Sequence, residues 1–167
     1  MKKGCHEPDE ENSDGAKNYP PKLAAIVSLF ESLSDEEKRE NLIAYADQAK
    51  RCAPKEDETF ALEDVRKDQE CADTVGVFLK VDPADQRAQF RMTLGPKVQT
   101  LTKAMTAILC KGLEGCTPNE VLEIPADFVP KIVGSQLVRV RSQTVYYILT
   151  RMKSIVRVWL NRERMKD

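Results

Sequence analysis

The strongest constraint in this 167-residue chain is a pair of alternating segments on either side of residue 84. Val75, Val77, Leu79 and Val81 recur at every second position, and Ala88, Phe90, Met92 and Leu94 repeat the pattern after Asp82-Pro83-Ala84-Asp85. Period-two alternation gives a strand one apolar and one polar face, and the Asp/Pro break between the runs supplies a turn. The segment predicts an antiparallel hairpin, with Arg87, Gln89, Arg91 and Thr93 facing away from the apolar side. That apolar side needs a helical cover.

The flanking sequence supplies one. Leu23, Ile26, Val27 and Phe30 follow helical spacing and mark a short amphipathic helix. Ser34-Asp35-Glu36-Glu37 reads as a capping box, with acids favoured by the helix dipole. It opens a second helix with Leu42, Tyr45, Ala46 and Ala49 on its buried face, ending near Cys52 before Pro54. The stretch that follows is weakly periodic, with a candidate strand from Phe60 to Val65. Beyond the hairpin, Pro96 fits the first turn of a helix that carries Leu101, Ala104, Met105 and Ile108 on one face and ends about Gly112. Thr117-Pro118-Asn119-Glu120 is a second capping box, opening a short helix through Leu122. Pro125 to Val133 is a further short helix. Val145, Ile148, Leu149, Met152, Ile155, Val156 and Trp159 define a long final helix with a basic outer face. The order predicts an α+β fold, a small antiparallel β-sheet packed against several α-helices in a single domain. Residues 1–20, rich in charged and small polar residues and closed by Pro20-Pro21, read as a flexible N-terminal leader to a domain over 21–167.

Several classes of chemistry are excluded by inventory. The single histidine, His6, lies in the acidic leader, where an imidazole is badly placed for Ser-His or Cys-His catalysis, which needs it within about 3 Å of a nucleophile. Histidine-rich metal sites fall with it. The 26 basic and 27 acidic residues leave a net charge of −1, which argues against attraction of the whole molecule to nucleic acid or acidic lipid. The cationic cluster Arg151, Lys153, Arg157, Arg162, Arg164 and Lys166 reads as a solvated helix face. No apolar run approaches the roughly 20 residues of a membrane helix, and the N-terminus lacks an apolar signal region, so a soluble, cytoplasmic protein is expected.

Five cysteines remain: Cys5, Cys52, Cys71, Cys110 and Cys116. Their odd number and the absence of a CxxC pair argue for reduced thiols rather than a disulfide framework. Cys71 stands out, because Asp68-Gln69-Glu70-Cys71-Ala72-Asp73 is a polar stretch leading into a rigid strand, where a thiol is both exposed and positioned. Asp68, Glu70 and Asp73 oppose its thiolate while Arg66 and Lys67 favour it. Arg141, in Arg141-Ser142-Gln143 at the start of the final helix, conflicts mildly with the helix dipole and hints at a distant partner.

In this order the residues resemble the SufE family, sulfur acceptors that work with cysteine desulfurases in iron–sulfur cluster assembly. The resemblance runs from about Leu23 to Trp159. It rests on Leu42-Ile43-Ala44-Tyr45-Ala46, the cysteine before a hairpin, Ala107-Ile108-Leu109, and the run from Gly112-Leu113-Glu114-Gly115-Cys116 through Thr117-Pro118-Asn119-Glu120-Val121-Leu122. Ala126-Asp127-Phe128, Leu137 and Arg141-Ser142-Gln143 complete it. The family's Gly-Cys-x-Ser-x-Val-Trp motif reads Glu70-Cys71-Ala72-Asp73-Thr74-Val75-Gly76 here, its acidic Asp-Ser-Asp is replaced near Pro96-Lys97-Val98, and the glycine of its Arg-Ser-Gln-Gly is Thr144.

The resemblance implies that Cys71 accepts persulfide sulfur from a SufS-like cysteine desulfurase, stimulates that enzyme and passes sulfur to a SufBCD-like iron–sulfur scaffold. Arg141 would support the cysteine loop or partner docking. No cofactor is implied on this chain, pyridoxal phosphate belonging to the desulfurase, and neither nucleic acid nor membrane is an expected partner. Gly76 in place of the aromatic would loosen the Cys71 loop. The alternative is an adaptor that keeps the fold and binds partners without carrying sulfur.

Overall fold

The computed structural model describes residues 19–68 and 73–166, with side chains of residues 68 and 135–145 excepted. Helices α1 (Pro21–Glu31) and α2 (Asp35–Gln48) are followed by a 3-10 turn, Ala49–Cys52. Strands β1 (Leu62–Asp68), β2 (Asp73–Val81) and β3 (Ala88–Leu94) form an antiparallel sheet in the order β1-β2-β3. Helices α3 (Thr100–Gly112), α4 (Pro118–Leu122), α5 (Phe128–Val133) and α6 (Ser135–Met165) complete the α+β domain.

The hairpin has the expected register. Val75 pairs with Leu94, Val77 with Met92, Leu79 with Phe90 and Val81 with Ala88, so the apolar side chains meet in cross-strand pairs on one face. The turn closes as Asp82 N–H donates to the Arg87 carbonyl and Gln86 N–H to that of Asp82, with Gln86 in the left-handed region at φ 59°. Helix α3, whose Ala104, Met105, Ile108 and Leu109 are fully buried or nearly so, is the central cover. Helices α1 and α2 pack on it from one side and α6 from another. Both expected capping boxes are present, Ser34 with Glu37 and Thr117 with Glu120, each satisfying two otherwise unpaired backbone N–H groups.

Several boundaries differ from the sequence reading, each for a local reason. The strand foreseen from Phe60 to Val65 is Leu62–Asp68 and extends the hairpin to three strands. Leu62 pairs with Leu79, Asp64 with Val77 and Arg66 with Val75, so the core-side positions of β1 are mostly polar and the outward Val65 is exposed. Helix α2 stops at Gln48 and only the 3-10 turn reaches Cys52. Pro96 lies outside α3: Gly95 N–H donates to the Thr74 carbonyl and Lys97 N–H to the Asp73 carboxylate, holding a turn that buries Val98 before the helix starts at Thr100. Helix α5 starts at Phe128 rather than Pro125.

Helix α6 starts earlier than its apolar pattern indicated. Gly134, at φ 85°, breaks the chain between α5 and α6, a conformation other residues adopt at a cost. Arg141 is therefore the seventh residue of α6 rather than its first. Tyr19, within the stretch read as leader, packs edge-on against Phe128, and its hydroxyl donates to the Asp127 carboxylate.

Candidate functional site

The pairing of β1 with β2 runs to Asp68 and Asp73, and four residues, 69–72, join the two in sequence. Cys71 belongs to those four and lies outside the described residues, as do Glu70 and Ala72; so does the Arg141 side chain. The frame on which Cys71 hangs is described in full. Asp73 is not a free charge beside the thiol. One carboxylate oxygen accepts from Lys97 N–H and the other from Thr74 N–H, each at 2.7 Å. These bonds, with Lys97 and Lys67 nearby, hold the carboxyl below its ordinary pKa. A Cβ on Gly95 would fall 2.3 Å from that carboxylate, so the glycine lets Asp73 close the sheet onto the loop before α3.

The Cys71 connection that Gly76 was expected to loosen lies outside the described residues, whereas Gly76 itself lies in β2. It is buried inside the central strand, paired with Val65 and Thr93, and a Cβ there would sit 2.3 Å from the Thr93 hydroxyl. The side chains of the neighbouring strands close over the position where the family motif carries an aromatic.

Beneath the same end of the sheet lies a residue that the sequence placed on a solvated face. Arg151 is 1% exposed. Its Nε donates to the Asp64 carboxylate at 3.2 Å, Nη2 to the carbonyls of Asp64 at 2.7 Å and Val75 at 3.1 Å, and Nη1 to the Tyr147 hydroxyl at 3.1 Å. This guanidinium ties α6 to both strands that lead into residues 69–72. Helical spacing held the signal, since Arg151 falls between Ile148 and Ile155 on the apolar stripe. Asp64, alternating with Leu62 on the core side of β1, is its complement. Lys153 also turns inward, donating to the Ile124 carbonyl.

The remaining described thiols divide into two environments. Cys116 is buried, and burial with the nearby Glu120 carboxylate pushes its pKa up to about 11, which leaves it a small core hydrophobe. Cys52 and Cys110 share a cleft. The neighbouring Cys110 thiol draws the Cys52 pKa below the ordinary thiol value against the pull of burial, with help from the Arg91 guanidinium. The neighbouring Cys52, together with burial, raises Cys110 well above that value. Among the described residues no cluster of three or more His, Cys, Asp or Glu side chains could hold a metal ion. No helix among them is long and apolar enough to cross a membrane.

A three-stranded antiparallel sheet capped by helices, with a cysteine in the sequence between its first two strands, defines a small α+β domain. The chain belongs to the SufE family, described as an Fe-S metabolism associated domain, which it matches over residues 24–156. It is 32% identical over 111 residues to an uncharacterized SufE-like protein of Synechocystis, a match covering 66% of this chain and 64% of that protein. Its fold is similar to the solution structure of a hypothetical protein from Thermus thermophilus, with a TM-score of 0.63 and 25% identity over 86% of this chain and 98% of the other. Family membership associates the chain with iron–sulfur metabolism.

Proposed function

We propose that this chain is a cytoplasmic sulfur carrier whose Cys71 takes the outer sulfur of a persulfide held by a SufS-like cysteine desulfurase, stimulates that enzyme and delivers the sulfur to a SufBCD-like iron–sulfur scaffold. The observation that supports it most is the match to the SufE family over residues 24–156, with Cys71 inside that span between the paired residues Asp68 and Asp73. The Cys71 thiolate attacks the terminal sulfur of the donor persulfide. The donor S–S bond breaks, the desulfurase cysteine leaves as thiolate, and Cys71 becomes the persulfide with no net oxidation. Docking supplies the rate gain by turning a bimolecular attack into an oriented one. The sheet end contributes a rigid base for the connection, through the double hold on Asp73 and the Arg151 bonds beneath it. Arg141, by family resemblance, supports the connection or the docked partner. Pyridoxal phosphate stays with the desulfurase.

Intact-mass analysis after incubation with an active cysteine desulfurase and L-cysteine tests the reading. The wild type gains one or more sulfur atoms that dithiothreitol removes, and Cys71→Ser gains none. Sulfur on neither protein, with desulfurase binding retained, would assign an adaptor role, for which the altered residues Glu70, Asp73 and Gly76 around Cys71 already speak.

A further inference from the structure

The cleft between the 3-10 turn and α3 is lined by no residue of β1 or β2. It encloses about 160 Å³, and Cys52 and Cys110 line it together with Arg51, Arg91 and Lys111. Both thiols are half-buried and line the same cleft. Cys52 ends the 3-10 turn while Cys110 sits in the last turn of α3, two elements that pack directly. That volume admits a small solute.

We propose that Cys52 and Cys110 form a reversible oxidation site for small hydroperoxides, closing a disulfide that links the 3-10 turn to α3. Three features assign the roles. Arg51, Arg91 and Lys111 outnumber the one acid, Glu114, in the cleft lining, and with the Cys110 thiol alongside they favour the thiolate on Cys52, the form that attacks peroxide. Cys110 keeps its proton and stands beside the atom that will be oxidised. The cleft is open to solvent, so a small oxidant reaches both thiols.

The steps balance. The Cys52 thiolate attacks one peroxide oxygen and the O–O bond breaks. Cys52 becomes a sulfenic acid, and the other oxygen leaves with a proton as water or an alcohol. The Cys110 sulfur then attacks the sulfenic sulfur, an S–S bond forms, and the hydroxyl departs with the Cys110 proton as water. Two sulfurs give up two electrons in total and the peroxide takes both. Thiols reverse the reaction by exchange.

The test uses the full chain with Cys71→Ser, so that the outcome is independent of whether Cys71 carries sulfur. Hydrogen peroxide at a few equivalents should convert most of the protein to a form in which non-reducing trypsin digestion yields residues 52–55 linked to residues 104–111, two hydrogens lighter than their sum. Dithiothreitol should separate them. The cross-link closes a long loop, so Tm should rise on oxidation by roughly 5–10 °C. Cys110→Ser should accumulate a dimedone-reactive sulfenic acid on Cys52, and Cys52→Ser should leave Cys110 unmodified. Full alkylation of both thiols after peroxide would overturn the proposal, as would a cross-link from either to Cys5 or Cys116. The peptide map of the Cys71→Ser chain decides the matter even if a second cysteine variant folds poorly.

Discussion

Arg151 has the most demanding environment of any described side chain. A guanidinium removed from water is tolerated when its donors are matched, and here a carboxylate, two carbonyls and a hydroxyl meet them. Replacing it with alanine leaves Asp64 without its main partner and takes one donor from each of the Asp64 and Val75 carbonyls. Because Asp64 remains about one-third exposed, water can repair part of the damage. Arg151→Ala should therefore cost about 2–4 kcal/mol in urea unfolding, below the full penalty of a sealed ion pair. Removing both charges as Arg151→Met with Asp64→Leu should recover much of that loss, and failure to recover would assign the cost to lost packing instead. Sequence missed this residue because a basic residue flanked by other basic residues reads as solvated. Only its phase on the helix, between Ile148 and Ile155, opposed that reading. Cys71 was legible for the opposite reason: it is a thiol in a polar run before a strongly alternating strand, and the resemblance converged on the same position.

Among the elements, the hairpin and the two capped helices could be read directly because each carries a self-contained signal: period-two alternation, or a capping box ahead of an acidic first turn. Strand β1 was legible only as a weak candidate from Phe60 to Val65, since its core-side residues are mostly polar and its bounds come from pairing with β2. The outer face of the sheet adds a feature that local patterning does not encode. Glu58, in the loop before β1, lies over this face with Lys80 at 2.7 Å and Arg91 at 3.0 Å. The Lys80 ammonium foremost, then the Lys55 backbone N–H, hold its carboxyl down at about 2. The unfolded value is about 4.3, so the stabilisation is fully present above that pH and is lost as pH falls towards 2. Lys80 is about one-third exposed, and solvent screening reduces the effect to on the order of 1 kcal/mol. Glu58→Gln should lower stability by that amount at pH 7 and flatten the stability profile between about pH 4.5 and 2. Chemical denaturation at a series of pH values checks it, and a variant that keeps the wild-type slope would place the acid sensitivity elsewhere.

At the scale of the whole molecule, one continuous core joins sheet and helices, and α6 spans it. The sequence showed the apolar stripe of this helix but neither its beginning, which depends on the positive φ of Gly134, nor the depth at which Arg151 and Lys153 enter the interior. Thirty-one residues extend about 46 Å, longer than the core they cover. Met152, Ile155 and Val156 are buried, Trp159 and Leu160 half-buried, and residues 161–166 mostly exposed, with Arg162, Arg164 and Lys166 among them. Stability should follow this gradient rather than helix length. A chain ending at Leu160 loses only exposed turns and should keep its Tm to within about 2 °C, since surface changes away from packed features are worth a few tenths of a kcal/mol. A chain ending at Ser154 loses Ile155, Val156 and the Trp159 contact, and each buried aliphatic side chain is worth about 1.5–3 kcal/mol. Against the roughly 5–15 kcal/mol that holds a domain folded, that removes most of the margin. Circular dichroism melts of the two truncations separate the cases. A large loss at Leu160 would mean that the basic end of α6 packs against the domain, and it would withdraw the reading of that end as a solvated projection.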